Sequence, residues 1–411
     1  MNPSGISRAR LDGRIIASQP GRELILRATR ALTMVPGQAA LDDAAVIIDG
    51  GVITRVAPYR ALGPSPGATV VDLGDVTLCP GLINAHGHLE LAHLTGKCPR
   101  GAGFPAWVRW LLGQPLASRD PEPIQAALAA MAATGTHALA DVCTRTPALV
   151  ARACRAAEFP AVLFTEFFGC WEAEPGVLPW PDSPPASGRT DEPEESDETG
   201  GLIRTAAAGH ALYSTNPETL RLAKAWDEAR NLPFTIHLAE HHGEVELLAT
   251  GRGEFAALLA ARVLPKNFTA PGLSPVAHAE RLGLLGKTTL AVHCVQVGRA
   301  DLDILQATGT NVCLCPRSNA VIGVGRAPFE DYFASPLRLC LGTDSLASND
   351  DLNLWNEARF LRETMASPPE PARLLAAMTV NPAQALGFSR QGALAPGRLA
   401  RLATVPEDFR Q

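Results

Sequence analysis

Two histidines separated by one residue, His86-Gly87-His88, close an apolar run, LINAHGH, near the front of a long chain. In an extended strand such residues share a face, so both imidazoles address one point. Further on, His237, His293 and Asp344 each stand at the end of another apolar run. Histidine nitrogens with one carboxylate oxygen suit a borderline divalent ion such as zinc or iron(II). Any one strand histidine, taken alone, reads equally as a hydrogen-bonded core residue. Five polar residues closing four separate strands do not, provided the strands converge.

The elements that would make them converge are legible. Eight apolar, β-like runs alternate with Ala- and Leu-rich helical stretches: 82–88, 136–142, 161–167, 203–210, 234–240, 289–295, 311–316 and 337–344. Near-continuous apolar strands separated by helices imply a parallel sheet covered on both faces, and eight imply a closed (β/α)8 TIM barrel. Chemistry on such a barrel sits at the carboxyl ends of the strands, so the polar residue closing each run is the one to watch. Before the barrel, residues 1–80 read as short β segments with a hairpin signal at Asp49-Gly50-Gly51. The tail, 389–411, reads as β structure again, so both chain ends are expected to build one small β-sandwich domain beside a barrel domain at 81–388. The acidic, Pro- and Ser-rich stretch 179–201 reads as a surface loop where a barrel helix is expected.

Composition narrows the class. A net charge of −6 and a pI near 6.0 argue against nucleic-acid or anionic-membrane partners. The nine scattered cysteines contain no Cys-x-x-Cys pair and read as buried thiols of a reducing compartment. With no apolar leader and no run of 18 apolar residues, a cytoplasmic enzyme acting on a small molecule is the expectation, a homodimer being left open.

PGLINAHGHLE, HALYS, HLAE, VHC and GTDS, in that order, resemble the amidohydrolase superfamily, in the branch that holds cytosine, guanine and adenosine-type deaminases and the triazine hydrolases. The resemblance spans nearly the whole chain. It implies His86, His88, His237 and Asp344 as ligands of one divalent metal, because the fourth run carries no lysine to bridge two. It implies Glu240 as the acid that shuttles protons to a substrate ring, His293 as the histidine that orients water, and His210 as a substrate contact. Glu90, Phe104 and Trp107, with CPRSN (315–319) and DSLASN (344–349, containing Ser345), resemble the aminodeoxyfutalosine deaminases within that branch. That likeness implies removal of an adenine 6-amino group on a menaquinone route, from a nucleoside-like substrate bearing a benzoate. Arg317 is the expected partner of that carboxylate, with Arg100, Arg109 and Arg145 as rivals; pairing of Arg317 with an acid is the alternative. Phe104, Trp107 and Trp110, at spacings of three, read also as one packed helix face, and Glu244 as a support for the site. Three departures from the family pattern stand out: Gly87 where Thr is common, Leu212 where Pro is usual, and no Asp after Ala400 in GRLARLATV. Hydrolysis of another leaving group, as in triazine dechlorination, and a non-catalytic barrel are the competing functions.

Overall fold

The computed structural model describes residues 5–63, 67–169, 176–180, 202–265 and 267–410. The acidic stretch read as a surface loop lies, beyond Trp180, outside the described residues.

Each of the eight apolar runs forms a strand: Leu82–Gly87, Thr136–Cys143, Ala161–Phe167, Ile203–Gly209, Phe234–Leu238, Thr289–His293, Asn311–Leu314 and Leu339–Leu341. They pair in sequence order, all parallel. Alternate positions (Ile83, Ala85, Ala138, Ala140, Val162, Phe164) form one cluster with their counterparts on later strands and fill the barrel. Leu139, Leu163 and Cys143 lie on the other face, against the helices Glu122–Ala133 and Pro147–Ala156. Both faces are therefore dry, which is why the strands read as unbroken apolar runs instead of alternating ones.

The eighth strand returns to the first. Gly87 and Asp344 form a parallel bridge, and the backbone N–H groups of Thr343 and Asp344 donate to the His86 carbonyl at 3.2 and 3.1 Å. The buried Asn84 side chain crosses the same seam, donating to Thr343 Oγ1 at 2.7 Å and accepting from its backbone N–H at 3.1 Å. Gly342 permits this approach: a Cβ there would lie 2.7 Å from His86 Cβ and 2.9 Å from both Cys313 Sγ and the His86 nitrogen.

The chain ends build the second unit. Strands Arg8–Leu11, Arg14–Ala17, Leu24–Ala31, Leu41–Asp49, Val52–Pro58, Thr69–Asp72 and Thr77–Pro80 join Arg401–Thr404 in one eight-stranded sheet. The last of these lies between Arg8–Leu11 and Thr77–Pro80, tying the two ends together. The sheet wraps round its own core, which includes Leu24, Leu26, Val46, Ile48, Ile53, Leu78 and Leu402. Ile53 N–H donating to the Arg398 carbonyl at 2.8 Å brings its far edge back to the tail. The first barrel strand begins two residues after this sheet ends, so the histidines at its far end start from a fixed base. Among the described residues no helix is long and apolar enough to cross a membrane.

The seam at Gly342 generates a stability test. Gly342→Ala forces overlap on backbone and on core atoms that cannot swing away, and should cost about 1–3 kcal/mol in urea unfolding. Gly63→Ala, which meets open space, should be near neutral. Equal stability of the two variants would contradict the close approach.

Candidate metal centre and active site

His86, His88 and His237 meet at the carboxyl end of the barrel, their ligand-capable nitrogens within 4.8 Å of one another. Asp344 Oδ1 lies 3.6 Å from the Nε2 atoms of both His86 and His88, and His237 Nε2 lies 3.4 Å from that of His88. His86 Nε2 is fully buried and has no hydrogen-bond partner. A buried imidazole nitrogen left so is costly. Together with a carboxylate oxygen and two further nitrogens facing the same point, it fits a ligand to one divalent cation. Burial holds the imidazoles of His86 and His237 below their ordinary pKa, so they keep lone pairs to offer. Burial alone would raise Asp344, but the imidazoles of His86, His88 and His293 overcome it and hold the carboxyl well below the usual range.

The donors are aimed by their neighbours. Asp344 Oδ2 accepts from Ser318 Oγ at 2.5 Å and from Ser348 Oγ at 2.8 Å, which leaves Oδ1 to the centre. His293 Nδ1 is 3.0 Å from Asn319 Oδ1, an acceptor, so that nitrogen carries the hydrogen and Nε2 faces Glu240 Oε1 at 3.7 Å. Glu244 accepts the Glu240 backbone N–H at 2.9 Å and fixes the turn that presents Glu240. Burial, then the nearby Asp344 and Glu244 carboxylates, push the Glu240 carboxyl well above its ordinary value. Ala239, His293 and Asp344 all have positive φ, at 51, 70 and 59°. Such strained backbone at strand ends persists where the surroundings over-determine it and clusters at functional sites.

The expected substrate contacts divide. His210 is half-buried, its ring 5.0 Å from that of His237 and its Nδ1 bonded to Ser214 Oγ. Phe104 stacks on His241 at 3.8 Å, and Trp107 Nε1 donates to the Ala347 carbonyl at 2.9 Å. Both therefore pin the helix Phe104–Leu111 across the mouth, the packed-face alternative. Glu90 accepts the backbone N–H groups of Thr144, Arg145 and Thr146 at 2.8–2.9 Å, so its carboxylate holds the loop after the second strand instead of facing the mouth. Ser345 Oγ bonds Ser348 Oγ at 3.0 Å and props an Asp344 partner. Arg317 grips Asp351 with two bonds, 2.7 and 3.1 Å, and lies 3.6 Å from the buried Glu357. That guanidinium is committed to acids of its own chain, the alternative read from the sequence. Arg100 pairs with Asp350 and Arg109 with Glu254. The exposed Arg145 carries no side-chain bond or ion pair among the described residues.

Sequence reading missed Glu166, which lies with its Oε1 3.5 Å from His237 Nδ1. It closes AVLFTEF, the third run, so the strand-end rule could have found it. Asn319 and Ser318 sit inside the segment CPRSN, but their bonds cross to His293 and Asp344 on other strands and leave no trace in local spacing; Ser348 reaches back four residues to Asp344 within its own segment.

The amidohydrolase family model matches residues 77–410. A 5-methylthioadenosine/S-adenosylhomocysteine deaminase of Syntrophobacter fumaroxidans is 31% identical over 95% of this chain and 85% of its own length. A 5'-deoxyadenosine deaminase of Methanothrix thermoacetophila is 26% identical over 80% of this chain and 72% of its own. Among solved structures, Helicobacter pylori aminofutalosine deaminase with methylthio-coformycin superposes with a TM-score of 0.78, at 21% identity, over 92% of this chain and 91% of that one. A zinc-bound adenosine deaminase from Xanthomonas campestris gives 0.73, at 24% identity, over 93% and 84%. At those identities the structural likeness speaks for the fold. The match over most of the sequence makes the chain a member of the amidohydrolase family.

Proposed function

We propose that this chain is a mononuclear metal-dependent aminohydrolase that replaces the 6-amino group of an adenine-type nucleoside with oxygen and releases ammonia. The observation that carries the reading is one pocket holding two carboxyl groups of opposite character. Asp344 Oδ1 faces the imidazoles of His86 and His88 at 3.6 Å, which push its carboxyl toward the ionised form, whereas Glu240 lies buried beside His293, 3.7 Å away, and burial with its acidic neighbours pushes it toward the protonated form. Environments that push two carboxyl groups apart assign base and acid. Deaminase relatives support the same reaction class, hydrolysis of a carbon–nitrogen bond in a cyclic amidine.

A divalent ion held by His86, His88, His237 and Asp344, zinc or iron(II), would lower the pKa of water toward roughly 7 and supply the nucleophile at neutral pH. The chain's own groups do the rest. As water adds to the ring carbon, Asp344 accepts its proton, with His293 Nε2 oriented by Asn319 to hold the attacking oxygen. Glu240 gives its proton to the adjacent ring nitrogen, where negative charge would otherwise build. When the carbon–nitrogen bond breaks, Glu240, reprotonated from the remaining hydroxyl of the added water, passes a proton to the departing nitrogen, and the proton held by Asp344 returns to Glu240 as the site resets. His210 is placed to contact the base or sugar, beside His237.

For the substrate, the benzoate-bearing aminodeoxyfutalosine remains our specific proposal, with 5'-methylthioadenosine and S-adenosylhomocysteine as the second reading, favoured by the relatives. A carboxylate at the barrel mouth needs a cation. Arg317, Arg100 and Arg109 are already paired, so Arg145 takes the role expected of Arg317. Its guanidinium has no partner among the described residues, and Glu90 fixes the backbone from which it springs.

Glu240→Gln should retain metal and lose about 10²–10⁴-fold in kcat, the usual worth of a positioned proton donor. Turnover within a few-fold of wild type would remove Glu240 from the reaction. Arg145→Ala should lower kcat/KM for aminodeoxyfutalosine by roughly 10–100-fold, the scale of a charge-assisted hydrogen bond, and leave 5'-methylthioadenosine nearly unaffected. An equal loss on both nucleosides would refute the carboxylate contact. Faster wild-type turnover of 5'-methylthioadenosine would favour the second reading of the substrate.

A further inference from the structure

Glu166 is a buried carboxylate that the reaction outlined above does not use. Its Oε2 accepts from Thr144 Oγ1 at 2.7 Å, and the Thr144 backbone N–H is in turn held by Glu90 at 2.8 Å. Its Oε1 is fully buried, has no hydrogen-bond partner within normal range, and stands 3.5 Å from His237 Nδ1. Glu166, His210 and His237 lie close enough together to suggest a second cation site. The proton on His237 argues otherwise. His237 Nδ1 is 3.0 Å from the His210 carbonyl, which can only accept. That nitrogen therefore carries the hydrogen and has no lone pair for a metal. A substrate contact is also disfavoured, because an oxygen with no exposed surface cannot be reached from the mouth as the site stands. What Oε1 does stand beside is His237 Nδ1, 3.5 Å away, on the side of the ring turned from the other candidate ligands.

We propose that Glu166 is a positioning residue for the metal centre: anchored by Thr144, it holds the His237 ring with Nδ1–H turned to the barrel wall and the Nε2 lone pair turned to the metal. A carboxylate behind a ligand imidazole fixes its tautomer and raises its basicity, and losing such a partner typically costs 10–100-fold in metal affinity. The ladder Glu90–Thr144–Glu166–His237 then links the loop after the second barrel strand to the ligand on the fifth. The inference rests on the metal-dependent reading of the site.

The test compares wild type, Glu166→Gln and Thr144→Val. It uses zinc affinity from chelator competition, the nitrogen resonances of His237 in the metal-free protein, and KM for 5'-methylthioadenosine on zinc-saturated protein. Glu166→Gln should bind zinc about 10–100-fold more weakly with KM little changed. Thr144→Val, which leaves the carboxylate but removes its anchor, should weaken zinc several-fold, and it keeps the test alive should Glu166→Gln not fold. Metal-free wild type should show His237 protonated on Nδ1, with that preference weakened in the variants. Zinc affinity within twofold of wild type in every folded variant would overturn the assignment. So would a raised KM at unchanged zinc affinity, which would place Glu166 on the substrate. Failure of the wild type itself to bind zinc would overturn the metal reading and this inference with it.

Discussion

His86 and Asp344 are tied together by backbone before any ion joins them. The His86 carbonyl receives two N–H groups from the end of the eighth strand, Asn84 and Thr343 lock side chains beside them, and Gly342 has no Cβ to hold the strands apart. Closure of the barrel and assembly of the metal centre are thus one event. A barrel that failed to close at this seam would leave two of the proposed ligands on unconnected edges of a sheet. The positive φ at Asp344 becomes intelligible here: the chain must turn sharply out of the seam while its carboxylate turns inward. Two serine hydroxyls on Oδ2 help to keep the side chain there.

Burial then sorts the titratable groups. The same desolvation that keeps His86, His237 and His293 neutral works against ionising any carboxylate nearby. The imidazoles around Asp344 push its carboxyl down against that cost, while the acids near Glu240 push its carboxyl further up. One pocket therefore pushes two carboxyl groups in opposite directions, with Glu244 holding the Glu240 backbone and Asn319 the His293 ring. The small sheet serves the same end from the opposite pole, since it anchors the first barrel strand.

Much of this could be read before any coordinates. All eight barrel strands follow from apolar runs of strand length, because a strand buried on both faces leaves that mark. The histidines and the aspartate that meet at the barrel mouth follow from polar residues that break such runs at their ends. The hairpin at Gly50-Gly51 was equally plain, both glycines having positive φ. What the sequence could not supply was the partner of each loop residue. Arg317 has the right chemistry and the right strand end for a substrate carboxylate, yet Asp351, 34 positions along, claims it. Glu90 follows the metal motif closely, yet three backbone N–H groups of another loop use up its oxygens. Both outcomes depend on how loops from different strands pack, a long-range matter with no local periodicity. Glu166 is a different case: it obeyed the strand-end rule and was passed over because a lone glutamate without a histidine beside it suggests no motif.

The central claim is that four donors at the barrel mouth, three of them at the closing seam, hold a single ion on which nucleoside deamination depends. Metal-stripped protein titrated with zinc, while ammonia release from 5'-methylthioadenosine or aminodeoxyfutalosine is followed, tests it most directly. Activity should be negligible at the start, rise in proportion to added zinc and level off at one equivalent per chain. A plateau at two equivalents, or full activity in the stripped protein, would contradict the account.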